Sequence, residues 1–551
     1  MIVLDRKVLQ LDPADNVVIA LTDLHQGETV SCGGNRYILS TDVAAKHQFA
    51  TSALQTGEPV YMHGVLVAIA CQTIRAGELI TTANVRHKAT AYHEPNSHPN
   101  WRAPNVSAWR GRQFRGYPRP DGRVGTRNHW VVVPLVFCEN RNLGVLKQAF
   151  EEELGFVVPQ AHRRQVAELV RLYREGRLSA IDTHTFSEAQ QPPVKKVFPN
   201  IDGIKFLAHE AGCGGTHEDA RNLCGLMADY IMHPNVAGAT VLSLGCQHAQ
   251  ISLLQQELAA RGWHDEKPLL VYEQQRSLSE ASMLSAAVKD TFLALVRANE
   301  ASRETVPLSK LCVGLKCGGS DGFSGISANP VLGHISDVLS ALGGTGILAE
   351  FPELCGAEQN LIDRCVDLAT ARRFIDLMDD YAIRAKAVRA AFEMNPSPGN
   401  IRDGLITDAM KSAGAAKKGG SAPVTAVLDY PERDIRPGLN LLCTPGNDVE
   451  CVTAQVAAGA NVVLFTTGLG TPTGNPVAPV IKISSNSSLA RRMADIIDFD
   501  AGAIIEATTS VPDEAGRLLE VLIGVANGDT ATKAELSSQN DFIPWKRGIS
   551  L

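Results

Sequence analysis

One segment near the middle of the chain combines glycines with short polar side chains that could bind a ligand. Residues 315–330 read LKCGGSDGFSGISANP and show no helix or strand period. Glycines let a backbone approach a ligand closely, and short Ser, Asp and Asn side chains hydrogen-bond a polar guest. The segment therefore predicts a loop that lines a site. We interpret Ser320 and Asp321 as candidate catalytic residues and Ser324 and Asn329 as candidate substrate-binding residues.

Three cysteines that stand next to glycine follow predicted strands. They are Cys213 in HEAGCGG, Cys246 in LGCQ and Cys317 in KCGG. Three thiolates from separate loops could hold a metal ion or an iron–sulfur cluster and leave one coordination position open, as a Lewis-acid catalyst requires. The alternative, that a free cysteine is a small buried hydrophobe, stays open for these three.

Other side chains are candidates for proton transfer and for carboxylate binding. His209, beside Glu210 and close to a glycine pair, is the candidate base, with a structural histidine as the alternative. Arg127 in RVGTRN could bind a carboxylate with its planar fork, and Asn128 and Asn447 carry suitable amides. Neither GxGxxG nor GxxxxGK[ST] occurs, so a nicotinamide cofactor or a phosphate loop has little support.

The elements that must position these residues change in character along the chain. Residues 1–85 carry three Gly-Glu turn signals between short β-rich runs, which predicts a small all-β domain. Residues 86–115 contain several prolines and no periodicity, as expected of a linker. From residue 116, continuous apolar runs such as WVVVPLVF alternate with helical patterns, which predicts parallel sheets covered by helices.

The predicted fold class is therefore α/β with an N-terminal all-β domain. The middle α/β domain is expected at 116–304, with an insertion at about 151–200, and the C-terminal domain at 305–551. Ligands of such sheets gather outside the carboxyl ends of the strands. Most of the candidate residues above follow apolar runs, so they are expected at that edge.

Composition excludes several classes of protein. The 551 residues carry a formal net charge of −7 and no basic run, which argues against nucleic-acid binding. No apolar stretch reaches the ~18 residues of a membrane span, and the first residues do not form a secretory signal. We expect a cytoplasmic protein with reduced thiols that acts on a small molecule.

Several long motifs resemble the altronate/galactarate dehydratase family, namely RPDGRVGTRN, HEAGCGG, KCGGSDGFSGISANP, EFPELCGAE, NPSPGN and TPGND. The first 85 residues resemble its SAF (β-clip) domain, and GLGTPTGNPVAPVIKI and WKRGISL are most similar to the altronate branch. The resemblance implies an iron-dependent hydro-lyase acting on a sugar acid, with a Rossmann-like C-terminal domain and a homodimeric assembly. The expected reaction converts D-altronate to 2-dehydro-3-deoxy-D-gluconate; galactarate dehydratase and a non-catalytic sugar-acid sensor are the alternatives.

Two forms of iron stay open for such a reaction, in which a Lewis acid would assist removal of the C2 proton and the C3 hydroxyl. One is a cluster on Cys213, Cys246 and Cys317 with one iron free for substrate. The other is a single ion on oxygen ligands, with Asp321, Glu350 and Glu353 as candidates. Oxygen ligands would also accept manganese, magnesium or calcium.

Overall fold

The computed structural model describes residues 7–95, 99–157, 161–183, 195–265 and 267–550. It confirms the predicted α/β class with a small N-terminal β unit, which is followed by two α/β units. Within these residues no helix is long and apolar enough to cross a membrane.

The N-terminal unit consists of short antiparallel strands in three small sheets, ordered β1–β2–β5, β3–β4 and β6–β7–β8. The strands are β1 (Val8–Leu9), β2 (Val17–Ala20), β3 (Thr29–Cys32), β4 (Asn35–Ile38), β5 (Gln48–Ala50), β6 (Pro59–Met62), β7 (Val65–Ala70) and β8 (Val85–His87). The Gly-Glu repeats form its turns: Gly27, Gly57 and Gly77 have positive φ, and the glutamate after each accepts a backbone N–H three residues back. Glycine is favoured there because L side chains strain this backbone conformation.

The predicted linker lies against the C-terminal unit, where the Tyr92 hydroxyl donates to Asp379 and the Trp101 indole donates to Ser421. It leads into a three-stranded sheet of β9 (Gln113–Pro118), β10 (Val124–Gly125) and β15 (Glu304–Pro307). Strands β9 and β15 pair antiparallel. The chain therefore enters and leaves the middle unit at adjacent strands.

The middle unit is a four-stranded parallel sheet with helices, in the strand order β12–β11–β13–β14. Its elements are β11 (His129–Pro134), α1 (Asn140–Leu154), α2 (Ala161–Arg174), β12 (Gly203–Phe206), α3 (His217–Met232), β13 (Val236–Ser243), α4 (Ile251–Ala260), β14 (Leu269–Glu273) and α5 (Glu280–Ala298). Helix α2 lies in the predicted insertion; residues 158–160 and 184–194 of that insertion lie outside the described residues.

The C-terminal unit is a seven-stranded parallel sheet in the order β18–β19–β17–β16–β20–β21–β22. Its strands are β16 (Cys312–Cys317), β17 (Thr345–Leu348), β18 (Val424–Leu428), β19 (Gly438–Leu442), β20 (Val462–Thr467), β21 (Val480–Ser484) and β22 (Phe499–Asp500). Its helices are α6 (Ala328–Ala341), α7 (Glu358–Ile362), α8 (Leu368–Ala387), α9 (Pro398–Arg402), α10 (Asp408–Ala415), α11 (Asp448–Ala458), α12 (Ser487–Arg492), α13 (Val511–Asn527) and α14 (Lys533–Leu536). Helices cover both faces, so strands such as β16 and β20 are buried along their whole length.

The strand order creates a crevice at one point of this sheet. The chain leaves β16 toward β17 on one side and leaves β20 toward β21 on the other. Connections that depart in opposite directions open a crevice outside the carboxyl ends of the two strands, which is where doubly wound sheets bind ligands. The glycine-rich segment 315–330 runs from the end of β16 into α6 and borders this crevice.

The N-terminal unit packs on the same edge. Val67 and Ala68 of β7 share one apolar cluster with Phe323 and Ile326 of the glycine-rich segment and Met410 of α10. The β unit therefore supports the loop that borders the crevice.

Candidate active site

A cavity of about 500 Å³ occupies the crevice between the ends of β16 and β20. The predicted residues Cys317, Ser320 and Asn447 line it, together with Glu353, Asn395, Lys411 and Asp448. Glycine is required at its floor: a Cβ at Gly318 would lie 2.6 Å from the carboxylate oxygens of Asp448. The glycines of KCGG thus keep the cavity open beside the strand end, as the sequence indicated.

A buried network of ionic groups lies behind the cavity wall. Lys316 and Glu350 are fully buried and Lys418 is 1% exposed. Both ammonium groups bond the Glu350 carboxylate, and Lys316 also pairs with Asp448 at 2.9 Å. Glu350 has a φ of 69°, a left-handed conformation that is uncommon for a residue with a side chain. The structure therefore holds Glu350 in a strained position between two cations.

Cys317 and Glu353 complete the network. Lys418 Nζ lies 2.8 Å from Cys317 Sγ, and Lys411 Nζ lies 2.8 Å from Glu353 Oε1. Burial raises the pKa of Cys317 to about 11, with a further contribution from the charge of Glu350, so this thiol is protonated at neutral pH. Burial alone would raise the pKa of Glu353, but the neighbouring ammonium groups, chiefly that of Lys411, lower it to about 2. The wall of the cavity thus combines a neutral thiol, a permanent carboxylate and several cations.

The donor set of this network does not fit a divalent metal ion as arranged. Ligand atoms of Cys317, Glu350 and Glu353 lie within 4.8 Å of one another, and no other such group of three occurs among the described residues. However, Lys418 already bonds the thiol and Glu350, and Lys411 bonds Glu353. A dication would have to displace ammonium groups that neutralise these same donors. We therefore derive no catalytic step through a metal ion here.

Asp321 has a different environment from the one predicted for a catalytic acid or metal ligand. Its fully buried carboxylate accepts hydrogen bonds from Ser324, Ser485 and Asn486 and pairs with Lys46 at 3.1 Å. It does not belong to the ligand group that contains Glu350 and Glu353. These contacts make Asp321 the anchor of the glycine-rich loop.

Lys46 comes from the N-terminal unit and also pairs with Asp403 at 2.9 Å. A Cβ at either Gly322 or Gly404 would lie 2.2 Å from the Lys46 carbonyl oxygen. The close approach of the two units therefore depends on both glycines.

The other predicted residues of the glycine-rich segment have unequal roles. Ser320 lines the cavity, which agrees with its predicted place. Ser324 donates to Asp321, and Asn329 is occupied by the Gly414 carbonyl and the Thr466 hydroxyl, so both hold the loop in place. Their contacts do not support the predicted substrate binding.

Arg127 and Asn128 are also occupied by protein groups. Arg127 pairs with Glu535 at 2.8 Å and donates to backbone carbonyls, while Asn128 bonds Arg119 and the Asn200 carbonyl. Both residues precede β11 and so lie at the amino edge of its sheet. Because ligands bind at the opposite edge, these two residues stabilise the packing of the units instead of binding substrate.

His209, Cys213 and Cys246 lie in the middle unit, away from Cys317. Both ring nitrogens of His209 are bonded to backbone: Nε2 donates to the Pro134 carbonyl at 2.7 Å, and Nδ1 accepts from Ala211 N at 3.0 Å. Burial lowers the pKa of His209 to about 4. With both ring nitrogens bonded to backbone, His209 has the contacts of a structural histidine, the alternative to the predicted base. Cys213 and Cys246 are exposed and follow strands of the middle sheet, whereas Cys317 is buried and ends a strand of the C-terminal sheet.

Sequence reasoning missed the cations of the site. Lys316 lies inside an apolar strand, Lys411 and Lys418 lie in a segment rich in Ala and Gly, and Lys46 belongs to a separate unit. A lysine inside the run LCVGLKC was the one signal available, because a fully buried strand rarely carries a charge without a partner.

Comparison with known families agrees with this architecture. Residues 6–88 match the altronate/galactarate dehydratase SAF domain, residues 116–299 the second domain of D-galactarate dehydratase/altronate hydrolase, and residues 308–550 the C-terminal domain of D-galactarate/altronate dehydratase. Altronate dehydratase of Escherichia coli (strain K12) is 33% identical over 98% of this chain and 99% of its own length. Altronate dehydratase of Bacillus subtilis (strain 168) is 31% identical over 99% of this chain and 100% of its own length.

Galactarate dehydratase (L-threo-forming) of Escherichia coli (strain K12) is 34% identical, but over 55% of this chain and 58% of its own length. The three domain matches and the relatives that cover nearly the whole chain agree with the resemblance of the sequence motifs. The chain belongs to the altronate/galactarate dehydratase family.

Proposed function

We propose that this hydro-lyase dehydrates D-altronate to 2-dehydro-3-deoxy-D-gluconate and water in the crevice at the end of β16. The similarity to two altronate dehydratases over nearly the whole chain favours altronate over galactarate. The observation that carries the proposal for the site is the cationic wall of the cavity, with Lys411 at its surface and Lys316 and Lys418 behind it. A sugar acid is an anion whose negative charge increases during the reaction.

Substrate binding follows from the side chains that line the cavity. Lys411 offers an ammonium group to the substrate carboxylate, and Ser320, Asn395 and Asn447 offer donors and acceptors to the hydroxyl groups. A cavity of about 500 Å³ is in the usual range for a small-molecule site. The cavity can therefore bind the carboxylate of a linear sugar acid with an ammonium group and its hydroxyl groups with neutral polar side chains.

The chemical step needs a base for the C2 proton and a donor for the departing C3 hydroxyl. We assign the base to Asp448, whose carboxylate lines the cavity and is 28% exposed. The protonated thiol of Cys317 supplies the proton that turns the C3 hydroxyl into water. Removal of the C2 proton adds charge to the substrate carboxylate, and preorganised ammonium groups stabilise such charge. The enol that results then tautomerises to the 2-keto acid.

A substrate panel and two variants test the assignment. The protein is incubated with aldonic and aldaric acids, including D-altronate and galactarate, and the 2-keto-3-deoxy products are measured. We expect turnover of D-altronate, a fall in kcat of about 10²–10⁴-fold in Asp448→Asn with KM nearly unchanged, and a raised KM in Lys411→Met. Because Asp448→Asn keeps the shape of the side chain, it serves as the matched test of the base.

Three outcomes would contradict the proposal. Turnover of galactarate in preference to altronate would show that galactarate is the substrate. Normal kcat in Asp448→Asn would show that Asp448 is not the base. Tight binding of sugar acids without turnover of any of them would favour the alternative of a non-catalytic sugar-acid sensor.

The cofactor, assembly and compartment are also proposals. We propose iron as the cofactor, with manganese as the alternative, a homodimer as the assembly and the cytoplasm as the place of action. The assembly is checked by light scattering of the full chain after size-exclusion chromatography, where a single-chain mass would contradict the homodimer.

A further inference from the structure

A second crevice opens at the carboxyl edge of the middle unit's sheet. The chain leaves β11 toward β12 and leaves β13 toward β14, on opposite sides of the β11–β13 pair. The ends of β11 and β13 therefore form a second switch point of the kind that binds ligands. Cys138, Cys213 and Cys246 follow β11, β12 and β13 in turn, so three adjacent parallel strands each lead into a cysteine.

The strand register and the loop contacts bring these three cysteines to one place. Pro134 pairs with Leu242, and Cys138 and Cys246 each lie four residues beyond that pair. The loop after β12 crosses this edge, because Phe137 N donates to the Ala211 carbonyl at 3.1 Å and His248 N donates to the Gly212 carbonyl at 3.0 Å. Cys213, the next residue along this loop, thus lies between the loops that carry the other two cysteines.

The surroundings of these cysteines differ from those of a packed core. All three are exposed and free, whereas Cys224, Cys312, Cys365, Cys443 and Cys451 are buried. Cys213 borders a cavity of about 330 Å³ that His248 and Trp545 also line. Exposed thiols at a concave strand edge can be reached by a metal centre without displacement of packed side chains.

Two buried oxygen atoms next to Cys138 lack a hydrogen-bond donor. Glu139, which is fully buried, has no partner at Oε1, and Asn140 has none at Oδ1. Buried acceptors are normally satisfied, so such atoms need an explanation. An iron at this edge could take such an oxygen as a ligand, whereas the sulfides of a cluster accept hydrogen bonds and donate none.

We propose that Cys138, Cys213 and Cys246 hold an iron–sulfur cluster in this second crevice. A single zinc ion with three thiolates would bring the sulfur atoms to about 3.8 Å from one another, given Zn–S bonds of about 2.3 Å. Within the described residues, the one trio of ligand atoms closer than 4.8 Å contains none of these cysteines. A cluster separates its thiolate ligands more widely and suits three loops around a crevice.

This assignment replaces Cys317 by Cys138 in the ligand set expected from the sequence. Three thiolates would leave one iron of a four-iron cluster without a protein thiolate, and such an iron would supply a Lewis acid for an oxygen ligand such as a carboxylate or hydroxyl. The inference does not depend on the substrate site at β16, because no residue is shared between the two sets.

Cluster content of the full chain, purified without oxygen and reconstituted with iron and sulfide, tests the proposal. We expect about four iron and four acid-labile sulfide per chain, visible absorbance and a Mössbauer spectrum of a four-iron cluster. Cys138→Ala, Cys213→Ala and Cys246→Ala should each lose at least about nine-tenths of the sulfide. Because these positions are exposed, the variants should keep the circular dichroism of the parent.

Cys71→Ala is the matched control, since Cys71 is also exposed and free but lies in the N-terminal unit. Cys71→Ala and Cys317→Ala should both retain the full sulfide content. Loss in Cys317→Ala with retention in Cys138→Ala would overturn this ligand set. Absence of labile sulfide from the reconstituted parent, or one zinc ion per chain in its place, would overturn the cluster itself.

Discussion

Replacement of Lys418 by Met tests whether the buried ionic network stabilises the C-terminal unit. Lys418 is 1% exposed, and its ammonium group lies 2.8 Å from Cys317 Sγ and 2.5 Å from Glu350 Oε2. Methionine keeps much of the stem but removes the charge, so Glu350 retains Lys316 as its ionic partner and loses one of its two cations. Breaking a buried ion pair costs about 3–5 kcal/mol. Because Lys316 remains, we expect a loss at the lower end, about 3 kcal/mol of the free energy of unfolding.

The loss of unfolding free energy in Lys418→Met should increase as pH rises, because of the ionisation of Glu350. Burial, together with the charge of Glu353, raises the pKa of Glu350 above 4.5, and removal of Lys418 raises it further. A carboxyl whose folded-state pKa lies above its unfolded value is most favourable to folding when protonated, so stability falls as pH rises from about 4.5 through the folded pKa. The deficit of Lys418→Met relative to the parent should therefore be larger at pH 8.5 than at pH 5.5.

Calorimetric unfolding at these two pH values measures the effect, and Lys417→Met provides the matched control. Lys417 is the preceding residue and is exposed, so its replacement makes the same change of charge at the surface. We expect Lys417→Met to stay within about 0.5 kcal/mol of the parent. If Lys418→Met unfolds like Lys417→Met at pH 8.5, the network does not hold the site together and the reasoning fails.

Three further perturbations probe the loops around the crevice. Lys46→Met should lower the free energy of unfolding by about 2–3 kcal/mol, because it removes the cation from buried Asp321. The loss is below that of a fully buried pair because the Lys46 side chain is 20% exposed, and equal thermal midpoints of variant and parent would contradict this prediction. Gly468→Ala should lower both the thermal midpoint and kcat/KM, since the new Cβ would lie 2.2 Å from Asp321 Cγ; unchanged kinetics would show that the loop adapts. Burial, with a smaller contribution from Glu353, raises the pKa of Asp408 from 3.8 to about 8, so its contribution to stability is complete below pH 3.8 and is lost as pH rises to about 8. In denaturant unfolding, the free energy of unfolding of Asp408→Asn should therefore rise relative to that of the parent, by up to about 1.4 kcal/mol per pH unit across that window. If the free energies of variant and parent change in parallel with pH, the raised pKa of Asp408 is refuted.

The sequence was sufficient to predict much of the fold. Continuous apolar runs such as the one that ends in Cys317 predicted strands buried on both faces, and the edge rule predicted that the glycine-rich segment borders a cavity. Both inferences depend on local pattern and on a general rule for parallel sheets. They needed no knowledge of which units contact one another.

The three cysteines predicted to share a site belong to two different sheets. Cys213, Cys246 and Cys317 all follow strands, but the strands of the first two belong to the middle sheet and that of Cys317 belongs to the C-terminal sheet. A sequence pattern identifies strand ends without assigning them to sheets. Cys138 follows a strand of the same sheet as Cys213 and Cys246, but it has no neighbouring glycine and so falls outside the glycine-flanked pattern.

Contacts that form only in three dimensions account for the other differences. His209 looked like a base because of its glycine neighbours, yet its Nε2 hydrogen is bonded to the carbonyl of Pro134, 75 residues away. Arg127 looked like a carboxylate fork and does bind one, but the carboxylate belongs to Glu535. In both cases the side chain has a partner, and that partner is part of the protein.

A stacked aromatic pair connects the linings of the two cavities. Tyr381 of α8 lines the cavity at β16, Trp545 lines the cavity of the middle unit, and the two rings stack with centroids 5.7 Å apart. The segment that carries Trp545 is fixed to both units, because Arg547 pairs with Asp429 and its backbone N–H donates to Asp219 at 2.9 Å. Close-packed interiors transmit strain, so we expect a displacement of one ring to shift the other. The stack therefore makes the carboxyl edges of the two sheets neighbours in one structure, although the sequence separates their loops by whole domains.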